Sequence, residues 1–568
     1  MLLDIVKSVW YIFWIYYIIS QQDKYGIRMK RFMKRTTMVT GVLIFSALVS
    51  LGSLYMLDVS KTFYSKIQLF NIILGRIQED YVTEIPPEKL VDDAIRGMLE
   101  KLDPHTTYFT EEQFNRWNQN FEGYSGIGIT FDILRDRITV LSVIPEGPSD
   151  SAGLMPGDRI VAIEGKSAIG ISRDEVPLLL KGPKGSSVRI SVQRTGYSAP
   201  LEYVIKRDEV HIHSIPYTFL IQPGVGYIHI QRFSATTSDE LEKAFNKLLE
   251  QGMKTLIFDL RYNGGGYLDE AIETADLFLP GGKTIVSTRG RNSSSNREFY
   301  STKKKLPAKI PVVIMIDRIS ASASEIVAGA LQDWDRALII GETSFGKGLI
   351  QSQYRFRDGS ALLMTTARYH TPSGRVIQRD YNNQSHEDYY SIITNDSLRR
   401  QWEENPGRPH YQSMILKRRI PGGGGITPDI FLSATHDTLA MCVRRILNSP
   451  KRLLFTFTEQ LAKDRTLKEY SESDFIRNYK PDAHRMKQFL MYIRQEGIEI
   501  SNEDFIHNQK DIQFLIKQAL AEWLFGRETQ YKVQMLRDKM LLEALRYLSK
   551  ARELLESADS AQSYRSED

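Results

Sequence analysis

The sequence predicts a mixed α/β protein: an α/β core with parallel strands, a β-rich domain inserted before it, and helical regions on either side. Three observations carry this. Pro311–Gln351 reads strand, helix, strand. Val312–Asp317 and Ala337–Gly341 are apolar runs of strand length, and Ser324–Trp334 has small and aliphatic residues at helical spacing. A βαβ unit of this kind sets its two strands parallel. Second, from about Phe121 to Asp208 short alternating strands are broken by glycine turns. Third, from Ala440 onward the chain is mostly amphipathic, with Ile512, Leu515, Ile516, Ala519, Leu520 and Trp523 on one stripe.

At 568 residues the chain has room for several domains. Its formal net charge is +5, and residues 1–36 account for all of it, with seven Lys/Arg against two Asp. The balanced remainder carries no basic footprint for nucleic acid. One cysteine, Cys442, excludes an intrachain disulfide framework, and no HExxH or clustered Cys/His pattern predicts a metal site or other cofactor. Thr37–Leu57 is uncharged, long enough for a bilayer, and follows the basic segment 1–36. It is longer than the apolar region of about 7–15 residues in a cleaved signal. The preferred reading is an uncleaved anchor with everything after Leu57 outside the cytoplasm, against a signal cleaved near Ser50-Leu-Gly52. Val9–Ile19 is short for a span, and Met29 or Met33 would make ordinary starts.

Residues 58–120 form a helical lead-in, with helical spacing over Phe63–Asp80 and Pro87–Lys101, closed by Asp103-Pro-His-Thr-Thr-Tyr108. His105 is expected to cap or to face solvent. Within 121–208, Gly126-Ile127-Gly128-Ile129 opens a run of strands, and Ser172–Leu180 is a short helix. The core, 209–435, starts with buried strands Val225–Ile230 and Lys254–Leu260. The second runs into Arg261-Tyr-Asn-Gly264-Gly265-Gly266 and a helix, Leu268–Phe278. Arg289–Lys305 reads as a surface loop, Ala361–Tyr369 as a strand, and the polar stretch of about 380–409 as an exposed insertion. The helices of 436–568 can pack on the core, pair two subunits or dock an adaptor.

Chemistry concentrates in the βαβ unit. Ser320, Ser322 and Ser324 crowd the turn where a strand's carboxyl end meets a helix amino end, whose free N–H groups can stabilise an oxyanion. The base available to a serine is Lys347, between Gly346 and Gly348, and Gln351 follows four residues on. Each has a plainer reading. Ser322-Ala-Ser-Glu325 fits a capping box. Gly341 to Lys347 matches seven positions of a phosphate-binding loop, but Gly348 stands where Ser/Thr is required, and a strand-like stretch follows instead of a helix. No histidine sits in a G-x-S-x-G context, and Glu325 occupies the lysine position of an S-x-x-K motif.

Ser320-Ala-Ser-Ala-Ser-Glu325, Ala328-Gly-Ala-Leu-Gln-Asp333 and Gly341-Glu-Thr-Ser-Phe-Gly-Lys-Gly348 together resemble the C-terminal processing (tail-specific) proteases, over roughly Tyr64 to Leu432. The resemblance implies a crotonase-like core with Ser322 as nucleophile, Lys347 as general base and Gln351 as its orienting partner. It implies an oxyanion hole from Ala323 together with Gly264 or Gly265. Residues 121–208 resemble a PDZ domain, with Gly126, Ile127, Gly128 and Ile129 as the loop that takes a peptide carboxylate; if Ile127 and Ile129 line its pocket, they favour an apolar last residue. Where the family often has arginine before the Gly182-Pro-Lys-Gly185 turn, this chain has Lys181, which cannot make a bidentate contact. The implied function is an envelope serine endopeptidase, inner-membrane anchored and periplasm-facing, acting on proteins with free C-termini. The alternative is a catalytically silent PDZ scaffold that binds such tails.

Overall fold

The computed structural model describes residues 62–566 apart from 303–305, 307–308, 383 and 434–438. The candidate membrane span at 37–57 and the basic segment before it lie outside the described residues. Among those described, no helix is long and apolar enough to cross a membrane. The chain divides into two compact units, Met1–Met98 and Leu99–Asp568. In the first, residues 62–80 are helical and all but the last residue of a second helix, Pro87–Leu99, follows, with Glu88 in its first turn and Arg96 in its last, as the helix dipole favours.

The second unit is built on a six-stranded sheet. Its strands in order are β1 (Thr218–Gln222), β2 (Val225–His229), β3 (Thr255–Asp259), β4 (Val312–Ile316), β5 (Leu338–Gly341) and β6 (Ile430–Phe431). β1 is antiparallel to β2, and all the other pairs are parallel. β3, β4 and β5 are buried at every residue, which is why they read as unbroken apolar runs. On one face lie α1 (Thr237–Glu250), α2 (Leu268–Phe278) and α3 (Ala323–Asp333), whose Phe245, Ala275, Val327 and Leu331 interleave with Leu256, Phe258 and Ile314. On the other face, Met535, Met540, Leu541, Ala544 and Ala551 of the C-terminal helices cover Phe219, Tyr227, Ile257, Val313 and Ile340.

A second, antiparallel sheet is centred on Ala361–His370, which pairs with Leu349–Arg355, Thr107–Phe109 and Thr284–Gly290. Thr284–Gly290 also forms a hairpin with Arg297–Tyr300, so the stretch expected to be a surface loop from Arg289 contains a strand. The reason is visible: Thr288 Oγ1 donates to the Ser295 carbonyl and accepts the Arg297 N–H, giving a polar strand its pairing partner. The stretch 380–409 is likewise not merely exposed. It holds helices His386–Ser391 and Asp396–Glu403 and buries Tyr389, Arg399 and Arg408.

The β-rich domain is a sheet whose path runs from an edge strand, Ile129–Leu134, through Arg137–Val143, Arg159–Ile163 and Ser187–Gln193 to Leu201–Lys206. Its core is apolar and separate, with Ile138, Val140, Ile160, Val188 and Ile190 at its centre. The expected helix from Ser172 spans Glu175–Leu180. Tyr124–Gly126 pairs antiparallel with Asp208–Val210, closing the domain where the chain enters and leaves it. C-terminal helices seat against this domain: Glu459 takes Arg159 at 2.8 Å and Thr195 at 2.9 Å, Arg452 reaches Asp132 at 2.8 Å, and Arg135 reaches Glu496 at 2.8 Å. These helices thus pack within the chain, against the β-rich domain and the sheet.

Candidate active site

The three serines sort by direction. Ser320 Oγ donates to the Leu260 carbonyl at 2.8 Å and Ser324 Oγ to the Asn263 carbonyl at 3.0 Å, so both stitch the turn after β4 to the loop after β3. Both are fully buried. Ser322 instead lines a cavity of about 770 Å³. Its backbone sits at φ +56°, ψ −112°, a conformation a non-glycine residue adopts only when its surroundings hold it there. Its hydroxyl lies 3.0 Å from that of Tyr369, the inward-facing penultimate residue of strand Ala361–His370.

Lys347 enters the same cavity from the loop after β5. Its Nζ donates to Gln351 Oε1 at 2.9 Å, and Gln351 Nε2 donates to the His105 carbonyl at 2.6 Å. The carbonyl can only accept, which fixes the amide with its oxygen toward the lysine. Burial pushes the Lys347 pKa down, against smaller opposing pulls from Glu325 and Asp103. Among the described residues no hydrogen bond joins Ser322 directly to Lys347.

Glu325 connects the two halves. Its carboxylate is fully buried and faces four donors: Ser344 Oγ at 2.5 Å, the Gly346 N–H at 2.7 Å, the Ser322 N–H at 2.8 Å and the Lys347 N–H at 2.9 Å. Burial raises its pKa while these donors act to lower it. Glu325 therefore does reach back to the serine, as a capping box requires, but it also ties the Lys347 loop to the start of α3. The i, i+3 spacing shows the first bond and is silent on the other three.

His105 is neither a cap nor a surface residue. It is buried, with Nε2 3.2 Å from the Tyr389 hydroxyl and Nδ1 2.9 Å from that of Tyr390. Sequence reasoning missed this cluster because Tyr389 and Tyr390 come from a polar stretch almost three hundred residues later.

The two glycines differ. The Gly265 N–H is taken by Asn263 Oδ1 at 2.9 Å, whereas among the described residues no group accepts the Gly264 N–H. Gly265, at φ +100°, is pressed so closely on α3 that a Cβ there would lie 2.7 Å from Ser322 Cβ and 3.0 Å from the Ala323 nitrogen. Gly264, Gly265 and Ala323 all line the cavity. Its apolar wall includes Phe109, Leu268, Ile326 and Leu363.

Of the loop Gly126 to Ile129, Gly126 ends the closing strand and Ile129 begins the edge strand. Gly128 has φ +75°. Ile127 is 2 % exposed and belongs to the β-rich domain's own core. The Ile127 carbonyl accepts the Ser149 N–H at 2.9 Å. Lys181 stacks its Nζ over the Tyr124 ring, 4.5 Å from the centroid.

The profile of peptidase family S41 matches residues 224–384, and that of the PDZ domain matches 125–202. A carboxy-terminal-processing protease of Bartonella bacilliformis is 36 % identical over 345 residues, 60 % of this chain and 79 % of that protein. The chain belongs to peptidase family S41. This S41 protein is a serine-type peptidase of the carboxy-terminal processing group, with a PDZ domain and a mixed α/β fold. A carboxy-terminal processing protease CtpA of Bacillus subtilis is 34 % identical, over 56 % of this chain and 67 % of its own. A solved photosystem II D1 C-terminal processing protease is 29 % identical over 57 % of this chain and 91 % of its own, with a TM-score of 0.31.

Proposed function

We propose that this peptidase cleaves proteins near their free C-termini by a Ser322–Lys347 mechanism oriented by Gln351. The observation that carries this reading is the single cavity shared by a strained serine and a buried lysine whose pKa burial lowers. In this mechanism the neutral Lys347 amine takes the proton of Ser322 as Oγ attacks the scissile carbonyl. The Gly264 and Ala323 N–H groups receive the oxyanion. Lys347 then returns the proton to the departing amine, and water, activated by the same amine, hydrolyses the acyl-enzyme. Gln351 accepts from the lysine and keeps its amine directed into the cavity.

The PDZ domain supplies the tail reading. The far side of its edge strand Ile129–Leu134 carries no paired strand among the described residues, which suits a peptide adding as a further strand. Glycine at Gly126 and Gly128 suits N–H groups converging on a terminal carboxylate. Export to the envelope, with an anchor at 37–57, rests on the charge asymmetry alone, and a periplasm-active reporter fused after Asp58 tests it.

The deciding experiment is labelling by a serine-reactive phosphonate, together with peptide turnover, in wild type, Ser322→Ala, Ser320→Ala and Lys347→Ala. Labelling and turnover lost at Ser322→Ala but retained at Ser320→Ala support the mechanism. A wild-type protein that binds tails without labelling would instead be a scaffold.

A further inference from the structure

The loop that carries Gly264 is gripped from outside the protease core. Arg261, three residues earlier, is buried, with its guanidinium between two carboxylates. Nε and NH2 bond Asp259 at 3.0 and 2.6 Å, while NH1 and NH2 bond Asp538 at 3.0 and 2.5 Å in a bidentate pair. Asp259 is the last residue of β3, but Asp538 belongs to the C-terminal helices and caps Lys539–Ala544, accepting the Leu541 N–H at 2.9 Å.

The backbone of Arg261 is held from the same direction. Its carbonyl is 3.2 Å from His229 Nε2, and since a carbonyl only accepts, that nitrogen carries the proton. His229 Nδ1 is then an acceptor, and the Tyr531 hydroxyl of helix Arg527–Met535 donates to it at 2.8 Å. One C-terminal residue thus fixes the side chain of Arg261, and another, through His229, fixes its carbonyl. The next residue, Tyr262, sits at φ +59° with its N–H on the Asp317 carboxylate at 3.1 Å. A strained loop has few alternatives to its observed path, and that path ends at the Gly264 N–H, which no group among the described residues accepts.

We propose that Asp538, supported by Tyr531, is a positioning residue for the oxyanion loop, so that the C-terminal helices complete the active site. The proposal rests on the Ser322–Lys347 reading for its catalytic meaning. Asp259 alone satisfies one edge of the guanidinium. Without Asp538 the other edge is buried and unpaired, and the loop must shift to rehydrate it.

The test compares Asp538→Asn with Glu472→Gln in the full chain. Glu472 joins Lys532 at 2.9 Å and Thr529 at 2.8 Å within the same helices and does not contact Arg261, so it controls for general loosening of that region. In Asp538→Asn, amide exchange in a peptide spanning 261–266 rises. Turnover kcat falls by about ten- to a hundredfold, the scale of a small misplacement of a catalytic group, with KM nearly unchanged. The pH–rate profile keeps its shape, because Lys347 is untouched. Glu472→Gln shows neither effect. Unchanged exchange over 261–266 overturns the proposal whatever the kinetics, as does an equal response in Glu472→Gln. Raised exchange with kcat within about twofold overturns the link to oxyanion stabilisation. A wild-type protein without turnover would sink the Ser322–Lys347 reading instead, and the exchange result would still decide whether Asp538 holds the loop.

Discussion

The Ser322 hydroxyl is bonded to Tyr369, 3.0 Å away, and not to Lys347, whose amine is bonded to Gln351. The two groups that exchange a proton in the proposed mechanism therefore share a cavity while each holds another partner. Catalytic hydrogen bonds in unliganded enzymes often tighten only when substrate binds. Rotation about a single side-chain bond moves Oγ, and Tyr369 is the residue that opposes it.

Replacing Tyr369 by Phe removes that competing hydroxyl and keeps the ring that packs in the core. The expected outcome is a folded protein in which Ser322 reacts with a phosphonate probe at least as fast as in wild type. Labelling slowed by about a hundredfold or more, the scale of a lost general acid–base contact, would make Tyr369 part of the catalytic machinery and not a restraint on it.

The pH dependence follows from the lysine. Burial depresses the pKa of Lys347, so its reactive neutral form gains population as pH rises through that lowered value, and kcat/KM should rise with it and then level off. The same shift means that the folded state binds this proton less readily than the unfolded chain. The burial cost is therefore largest at low pH and vanishes above the ordinary lysine value. Lys347→Arg should be inactive across the whole range, since arginine does not deprotonate. Turnover by that variant at any pH would place the base elsewhere.

Glu325→Gln should damage both halves of the site. An amide offers one oxygen and one NH2, so whichever way it turns, an N–H is set against an N–H among Ser322, Gly346 and Lys347. Loss of such a buried contact costs about 1–3 kcal/mol. A lowered melting temperature together with lost labelling of Ser322 is expected. Full activity in this variant would show that the loop and helix hold their positions without the carboxylate.

Tail recognition is tested with paired peptides, one with a free and one with an amidated C-terminus, against the intact protein and one lacking residues 121–208. A charged acceptor strengthens a hydrogen bond about twofold over a neutral one, so the intact protein should prefer the free acid by about tenfold or more. The deletion should lose that preference. Equal handling of the two peptides by the intact protein would leave the PDZ domain without a tail-reading role. Because Ile127 is inside the domain core, any preference for an apolar last residue should survive trimming of that side chain to Val better than trimming at Ile129.

Much of the fold was legible because its determinants are local. The strands β3, β4 and β5 are apolar runs, α2 matches its periodic stretch from Leu268 to Phe278, and the serine turn lies between a strand and a helix. What could not be read are partnerships over long sequence separations. Tyr369 is one of 28 tyrosines, and nothing in its surrounding strand marks it as the neighbour of Ser322. His105 looked like a turn residue because Asp103 and the neighbouring threonines do form a turn, with Asp103 accepting from the His105 and Thr106 N–H groups. Its burial depends on Tyr389 and Tyr390, whose stretch is polar because only one side of it packs inward. The two glycine N–H groups look equivalent in the sequence, and only the structure distinguishes them, through the Asn263 side chain that takes the Gly265 N–H.

The C-terminal helices are also the second roof of a largely parallel sheet. Such a sheet is apolar on both sides, and here Phe219, Tyr227, Ile257, Val313, Met315 and Ile340 are shielded from water by Met535, Met540, Leu541 and Ala544. A chain shortened before these residues would keep every group that lines the Ser322 cavity and still present a broad greasy plane to solvent. Such a fragment would be expected to stick to itself. A shortened protein found inactive would then say little about chemistry, because its failure would begin with solubility. Expression trials that trim the tail should therefore stop short of residue 535, and proteolytic nicking within that region should be followed by precipitation before any change in the serine's reactivity is measured.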